Sequence, residues 1–212
     1  SLIGGETAEM PGTYHKNEYD LVGIATGIVE RKDIVDGSNV QSGDIVVGIP
    51  SSGLHTNGYS LARKLFFDEL NMDINDTLSD KKTVLGTALL APHKNYSNLI
   101  NVLIKAGLKP KSLAHITGGG LIDNVPRVLP DGLGVNININ SWPKLPIIQH
   151  ITDTLDLGLS ELYRTFNMGI GLTIVVDRAQ KNLLIETLGI NNCFVIGSVV
   201  PDLKRRVYLN DK

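Results

Sequence analysis

The sequence predicts a mixed α/β layer fold, and three observations carry that prediction. Short Val- and Ile-rich runs recur along the chain, amphipathic segments of helical spacing fall between them, and glycine-bearing turns mark the junctions. With 212 residues, 42% of them hydrophobic and 20% charged, the chain is long enough for one large domain, or one domain plus a shorter piece.

Taken in order, Tyr19 to Val29 alternates and then runs apolar, which predicts a strand. Arg31 to Gly43 is polar, with turn signals at Asp36-Gly37 and Ser42-Gly43, and predicts a boundary near residues 32–36. The piece before that boundary is too short to bury a core by itself. Asp44 to Pro50 reads as a buried strand. Gly58 to Leu70 has helical spacing, with Leu61, Leu65, Phe66 and Leu70 able to share one face. Asn71 to Lys82 is polar and predicts a loop. His93 to Ala106 predicts a second helix, with Leu99, Val102, Leu103 and Ala106 as its stripe and Gly107 as its stop.

Leu113 to Thr117 predicts a short strand feeding Gly118-Gly119-Gly120, followed by a helix over Leu121 to Val128. Leu133 to Ile139 alternates as a strand, while Lys144 to Leu155 and Ser160 to Phe166 read as helices. Gly169 to Val176 is a further buried strand and Ala179 to Leu188 a helix. Phe194 to Val200 and Arg206 to Leu209 close the chain as two strands, and their adjacency in sequence favours a mixed or antiparallel sheet.

Composition narrows the function classes. A net charge of -2 and a pI of about 6.2 give no electrostatic case for nucleic acid or an anionic membrane. The densest basic run, Lys204-Arg205-Arg206, is too short to change that. No stretch reaches the roughly 18 apolar residues of a membrane helix and no secretory signal is present, so the cytoplasm is the expected compartment. Cys193 is the only cysteine, so no intrachain disulfide or cysteine-based zinc site can form; its apolar setting predicts a buried thiol. The chain opens without Met, in the apolar run Ser1-Leu2-Ile3, which reads as a start inside a longer polypeptide.

Four glycine-bearing clusters fall at strand ends, where loops carry ligands. Gly4-Gly5-Glu6-Thr7-Ala8-Glu9-Met10-Pro11-Gly12 pairs glycines that admit a phosphate with carboxylates that can hold Mg2+, although an ordinary turn before a helix has the same letters. Ser51-Ser52-Gly53-Leu54-His55-Thr56-Asn57-Gly58-Tyr59-Ser60 offers hydroxyls, an amide, an imidazole and a helix start. Its bland reading makes Asn57 a helix cap and His55 a loop histidine. His115-Ile116-Thr117-Gly118-Gly119-Gly120-Leu121 is either a tight turn or a phosphate cradle. It is neither a Walker A loop nor a dinucleotide fingerprint. In Arg164-Thr165-Phe166-Asn167-Met168-Gly169-Ile170-Gly171, the guanidinium can bind an anion or simply pair at the surface. No Ser/His/Asp order and no zinc-ligand spacing stands out elsewhere.

The same four clusters, with Asn124-Val125-Pro126-Arg127-Val128-Leu129-Pro130, closely resemble the aminoimidazole ribonucleotide synthetase family in order and spacing, from residue 1 to about residue 200. One departure is Met168, where many members carry Cys. The resemblance implies an α+β fold in which helices cover one face of a mixed sheet. It implies that residues 1–32 are the last helix and strand of an ATP-binding half, and that 33–212 form the second domain. The Asp-Gly-Val-Gly-Thr-Lys motif that the family carries in its N-terminal half, with the Asn-Asp pair of that half, does not occur here. The implied reaction is ATP-dependent ring closure of formylglycinamidine ribonucleotide to aminoimidazole ribonucleotide, with Mg2+, in a homodimer formed mainly through the absent halves; this piece alone would then be inactive.

Carried over by position, the resemblance makes Glu6 a Mg2+ ligand or a carboxylate just behind the ion, with Thr7 close to ATP. It places His55 in the interdomain cleft as an acid/base or phosphoryl-stabilising group. Thr56 and Asn57 would position substrate, and Gly118, Gly119 and Gly120 would offer N–H groups to it or its ribose phosphate; Arg164 and Asn167 would bind it or hold the cleft together. Rival readings are another ATP-dependent enzyme of the superfamily, such as thiamine-monophosphate kinase, selenophosphate synthetase or formylglycinamidine synthetase, and a non-catalytic phosphate-ester-binding module.

Overall fold

The computed structural model describes residues 1–211, and the chain divides between Ile34 and Val35 into two compact units. Among the described residues, the first unit holds only turns and a 3-10 turn at Arg31–Asp33. The strand expected over Tyr19 to Val29 does not form, and neither does a helix. The physical reason is pairing. A strand exists through its ladder to a neighbour, and this segment has none; Leu21, Val22, Ile24 and Ile28 are exposed along its length.

The second unit is built on a six-stranded sheet. Its strands are β1 (Ile45–Pro50), β2 (Ser112–His115), β3 (Leu133–Asn138), β4 (Ile170–Val176), β5 (Phe194–Pro201) and β6 (Val207–Asn210), in the order β2-β4-β1-β5-β3-β6. Every neighbouring pair is antiparallel except β3 and β6, which run parallel, so the sheet is mixed. The two C-terminal strands do not pair with each other; both flank β3. A tight turn held by Asp202, which accepts from Arg206 Nε at 3.0 Å and from Arg206 N at 2.8 Å, carries the chain from β5 towards β6.

Seven short helices accompany the sheet among the described residues: α1 (Tyr59–Arg63), α2 (Leu85–Leu89), α3 (Ser97–Lys105), α4 (Gly120–Asn124), α5 (Pro146–Thr154), α6 (Leu159–Thr165) and α7 (Lys181–Leu188). The predicted helix over Gly58 to Leu70 divides into α1 and a π-helical turn at Lys64–Glu69, which buries Leu65 and Phe66 and leaves Leu70 partly exposed. The predicted helix over His93 to Ala106 begins only at Ser97, since Pro92 and the residues after it form the approach loop. Helix α2 had no distinct sequence signal.

Helices lie against both faces of the sheet, where one face was expected. Val46 and Val175 join the larger core with Phe66, Leu121, Ile148 and Phe166. Ile45, Val47, Ile49, Ile174 and Val176 face the other way, into a smaller core with Leu103 of α3, Leu184 of α7 and Cys193. Strands buried on both faces carry near-continuous apolar runs instead of alternating ones, and β1 and β4 do so, with Thr173 as the one polar residue in β4. No helix among the described residues is long and apolar enough to cross a membrane.

Candidate active site

The loops that follow β1 and β2 and those that precede α3 and β4 meet at one end of the sheet. Their order comes from the strand pairing: β1 and β2 both lie against β4, so the loops after them emerge beside the turn that leads into β4. Asn167 holds that turn to the loop after β1. Its amide donates to the Gly53 carbonyl at 2.9 Å, while its Oδ1 accepts from Gly169 N at 2.8 Å and lies 3.3 Å from Ser51 Oγ. The side chain is buried with its polar atoms engaged by protein, so it positions the loops.

His55 sits in the first of these loops with φ +57°, in the left-handed region that non-glycine residues enter infrequently. Its side chain is 3% exposed. Nε2 accepts from the Ser52 backbone N–H at 3.2 Å, which leaves the proton of the neutral ring on Nδ1, and Nδ1 has no partner. Burial, reinforced by the nearby His93, His115 and Lys94, lowers its pKa from 6.5 to about 4. The imidazole is therefore neutral at neutral pH.

Two histidines that the sequence did not single out stand beside it. His93, in the loop before α3, stacks on His55 with ring centroids 4.0 Å apart; its Nε2 is 3.0 Å from Nε2 of His115, the last residue of β2. Tyr96 completes the group, its hydroxyl donating to the Pro50 carbonyl at 3.0 Å and its pKa raised by burial. Gly171 of β4 makes room for the pair, because a Cβ there would overlap the Tyr96 hydroxyl and lie 2.6 Å from His55 Cε1.

The glycine turn after β2 belongs to the same end of the sheet. Gly119 and Gly120 have φ +96° and +55°, and a Cβ on Gly120 would collide with the carbonyls of Tyr163 and Phe166. Asn124 fastens this turn, donating to the Gly120 carbonyl at 2.8 Å and to that of Gly118 at 3.2 Å. Turn geometry and packing thus account for the second and third glycines. Gly118 is exposed and faces Asn57, whose Oδ1 would be 3.6 Å from a Cβ placed there. Thr56 is exposed, and the residue at the start of α1 is Gly58, with no side-chain cap, so Asn57 is not the helix cap.

Arg164 lies elsewhere, in a cavity of about 490 Å³ whose lining also includes Arg127, Arg205, Arg206 and Asp123 but none of the three histidines. Its Nε pairs with Asp123 at 3.3 Å, the surface ion pair of the simpler sequence reading. Glu6 and Thr7 belong to the first unit and are exposed. The structure therefore gathers His55, Asn57 and Gly118 at one end of the sheet, adds His93, His115 and Tyr96, and leaves Arg164 in a separate cavity.

Residues 41–210 match the family model of the AIR synthase related protein, C-terminal domain. The chain belongs to this family. It is 45% identical over 207 residues to the phosphoribosylformylglycinamidine cyclo-ligase of Alkaliphilus oremlandii, an alignment covering 97% of this chain and 60% of that protein. The cyclo-ligase of Caldanaerobacter subterraneus is 47% identical over 203 residues, covering 94% of this chain and 60% of the relative. The chain thus spans about 60% of the length of these relatives. Among solved structures, thiamine-monophosphate kinase from Stenotrophomonas maltophilia shares the fold with a TM-score of 0.58 at 14% identity, over 87% of this chain and 55% of that one. The E. coli hydrogenase maturation protein HypE does so with a TM-score of 0.52 at 22% identity, over 82% of this chain and 48% of that one.

Proposed function

We propose that the chain is the carboxy-terminal part of a phosphoribosylformylglycinamidine cyclo-ligase, and that the loop end carrying His55, Asn57 and Gly118 faces formylglycinamidine ribonucleotide. The observation that carries this reading is the 45% identity to a cyclo-ligase along 97% of the chain. The convergence of two separate clusters, one carrying His55 and Asn57 and the other Gly118, supports it. The proposed reaction closes a ring within one molecule, so its geometry profits from holding nucleophile and electrophile together. Asn57 and the free backbone N–H of the exposed Gly118 are suited to orienting the ribonucleotide. As placed, His55 is a neutral hydrogen-bond donor through Nδ1, not a cation that clamps a phosphoryl group and not a free base. That assigns it to stabilising charge that develops on a substrate oxygen.

Mg2+ and ATP enter the proposal through the family alone. Mg2+ takes oxygen ligands in near-octahedral geometry. Among the described residues Glu6 stands in an exposed segment without gathered oxygen donors, and the side chains that do gather are imidazoles. The described residues do not make a Mg2+ site by themselves, so no step is derived through it. The nucleotide is assigned to the part of the relatives that this chain does not span, and the homodimer and the cytoplasmic setting are proposed on the same footing.

The test joins the unmatched amino-terminal segment of the Alkaliphilus oremlandii enzyme to Ser1 and assays phosphate release from Mg-ATP. Release that requires formylglycinamidine ribonucleotide is expected. A folded fusion that binds both molecules yet forms no aminoimidazole ribonucleotide refutes the proposal.

A further inference from the structure

We propose that His55, His93 and His115 form a binding site for a divalent transition-metal ion of the zinc class. One ligand-type nitrogen from each of the three lies within 4.8 Å of the others. Zinc holds imidazole nitrogens at about 2.0–2.1 Å in tetrahedral geometry, which sets two such nitrogens about 3.3 Å apart. His93 Nε2 and His115 Nε2 already stand 3.0 Å apart and share a proton between their lone pairs. A metal ion entering there takes the proton's place, the proton moves to the far nitrogen of its ring, and the two nitrogens part by about 0.3 Å.

His55 supplies the third ligand. Its ring lies nearly parallel to that of His93, at 19°, so it must tilt out of the stack to aim a lone pair at the ion. The tilt frees Nε2 from the single hydrogen bond that holds it, the one from Ser52. Nδ1 of this 3%-exposed residue is buried without a partner, so the tilt breaks no hydrogen bond at that nitrogen.

The donor set selects the ion. Three imidazoles with no carboxylate disfavour Mg2+ and Ca2+, which take oxygen, and suit zinc and its neighbours. Three protein ligands leave a fourth position open. His93 and His115 are exposed, so that position faces solvent and can take water or a small anion. The Lys94 ammonium, bonded to the Pro50 carbonyl at 3.4 Å, opposes the incoming charge and makes the site weaker than a purely structural zinc centre.

The test uses the chain stripped with a chelator and titrated calorimetrically with Zn2+, with Co2+ as an optical probe. Uptake of one ion per chain is expected, with the visible absorption of tetrahedral Co2+ and no displacement by a large excess of Mg2+. His93→Gln and His115→Gln should each weaken zinc binding by at least about tenfold. His15→Gln and His150→Gln, outside the cluster, should not. His93 and His115 are exposed, so neither exchange removes core packing, and unchanged thermal melts check this. Absence of uptake, or uptake that survives both cluster exchanges, overturns the site. Neither ATP nor ribonucleotide enters the experiment, so its outcome is independent of the cyclo-ligase proposal.

Discussion

Gly171→Ala probes the packing on which the site depends. A Cβ at this position would overlap the Tyr96 hydroxyl, come within 3.0 Å of Tyr96 Cζ and lie 2.6 Å from His55 Cε1. Neither ring can retreat freely: His55 is held by Ser52 and Tyr96 by the Pro50 carbonyl. Overpacking a filled interior costs about 1–3 kcal/mol, and losing the Tyr96 hydrogen bond adds about 1 kcal/mol. A total of about 2–4 kcal/mol lowers the melting temperature of a chain this long by roughly 5–15 °C. The assay is a double-mutant cycle by thermal and urea unfolding with Tyr96→Phe, which removes the oxygen that suffers the worst overlap. In the Gly171→Ala background Tyr96→Phe should recover part of the loss, with a coupling above about 0.5 kcal/mol. A Gly171→Ala melt within about 1 °C of the parent, or strict additivity of the two exchanges, refutes the packing argument.

Two further outcomes follow from ionisable groups. Hydrogen bonds from the Arg206 guanidinium hold the pKa of Asp202 well below its ordinary 3.8, so the stabilisation it contributes is complete above that value and is lost as pH falls below it. Urea midpoints measured downward from about pH 5 should decline less steeply in Asp202→Asn than in the parent; parallel curves would count against the assignment. Cys193 is buried and its thiol pKa is raised by burial, so a disulfide reagent should modify it only as fast as the chain opens. Immediate stoichiometric labelling of the native chain would contradict its place in the smaller core.

The second unit was legible in the sequence where local pattern and tertiary setting agree. The apolar runs of β1 and β4 are strands because both of their faces are buried, and the runs themselves show that. Where a partner was required, the pattern misled. Tyr19 to Val29 has the letters of a strand, but a ladder needs a second chain segment, and letters cannot supply one. Helix α2, five residues long, carries too few positions to show a period.

The candidate site divides along the same line. The sequence by itself determined the family, the four glycine-bearing clusters and His55 as the residue of interest, because those are contiguous strings whose chemistry is local. Only the tertiary structure decided which clusters meet. Asn167 became a bracket between loops once Gly53 and Ser51 were beside it, and Arg164 went to a different cavity. His93 and His115 joined His55 through the pairing of β2 and β1 with β4, a long-range register that no spacing along the chain encodes.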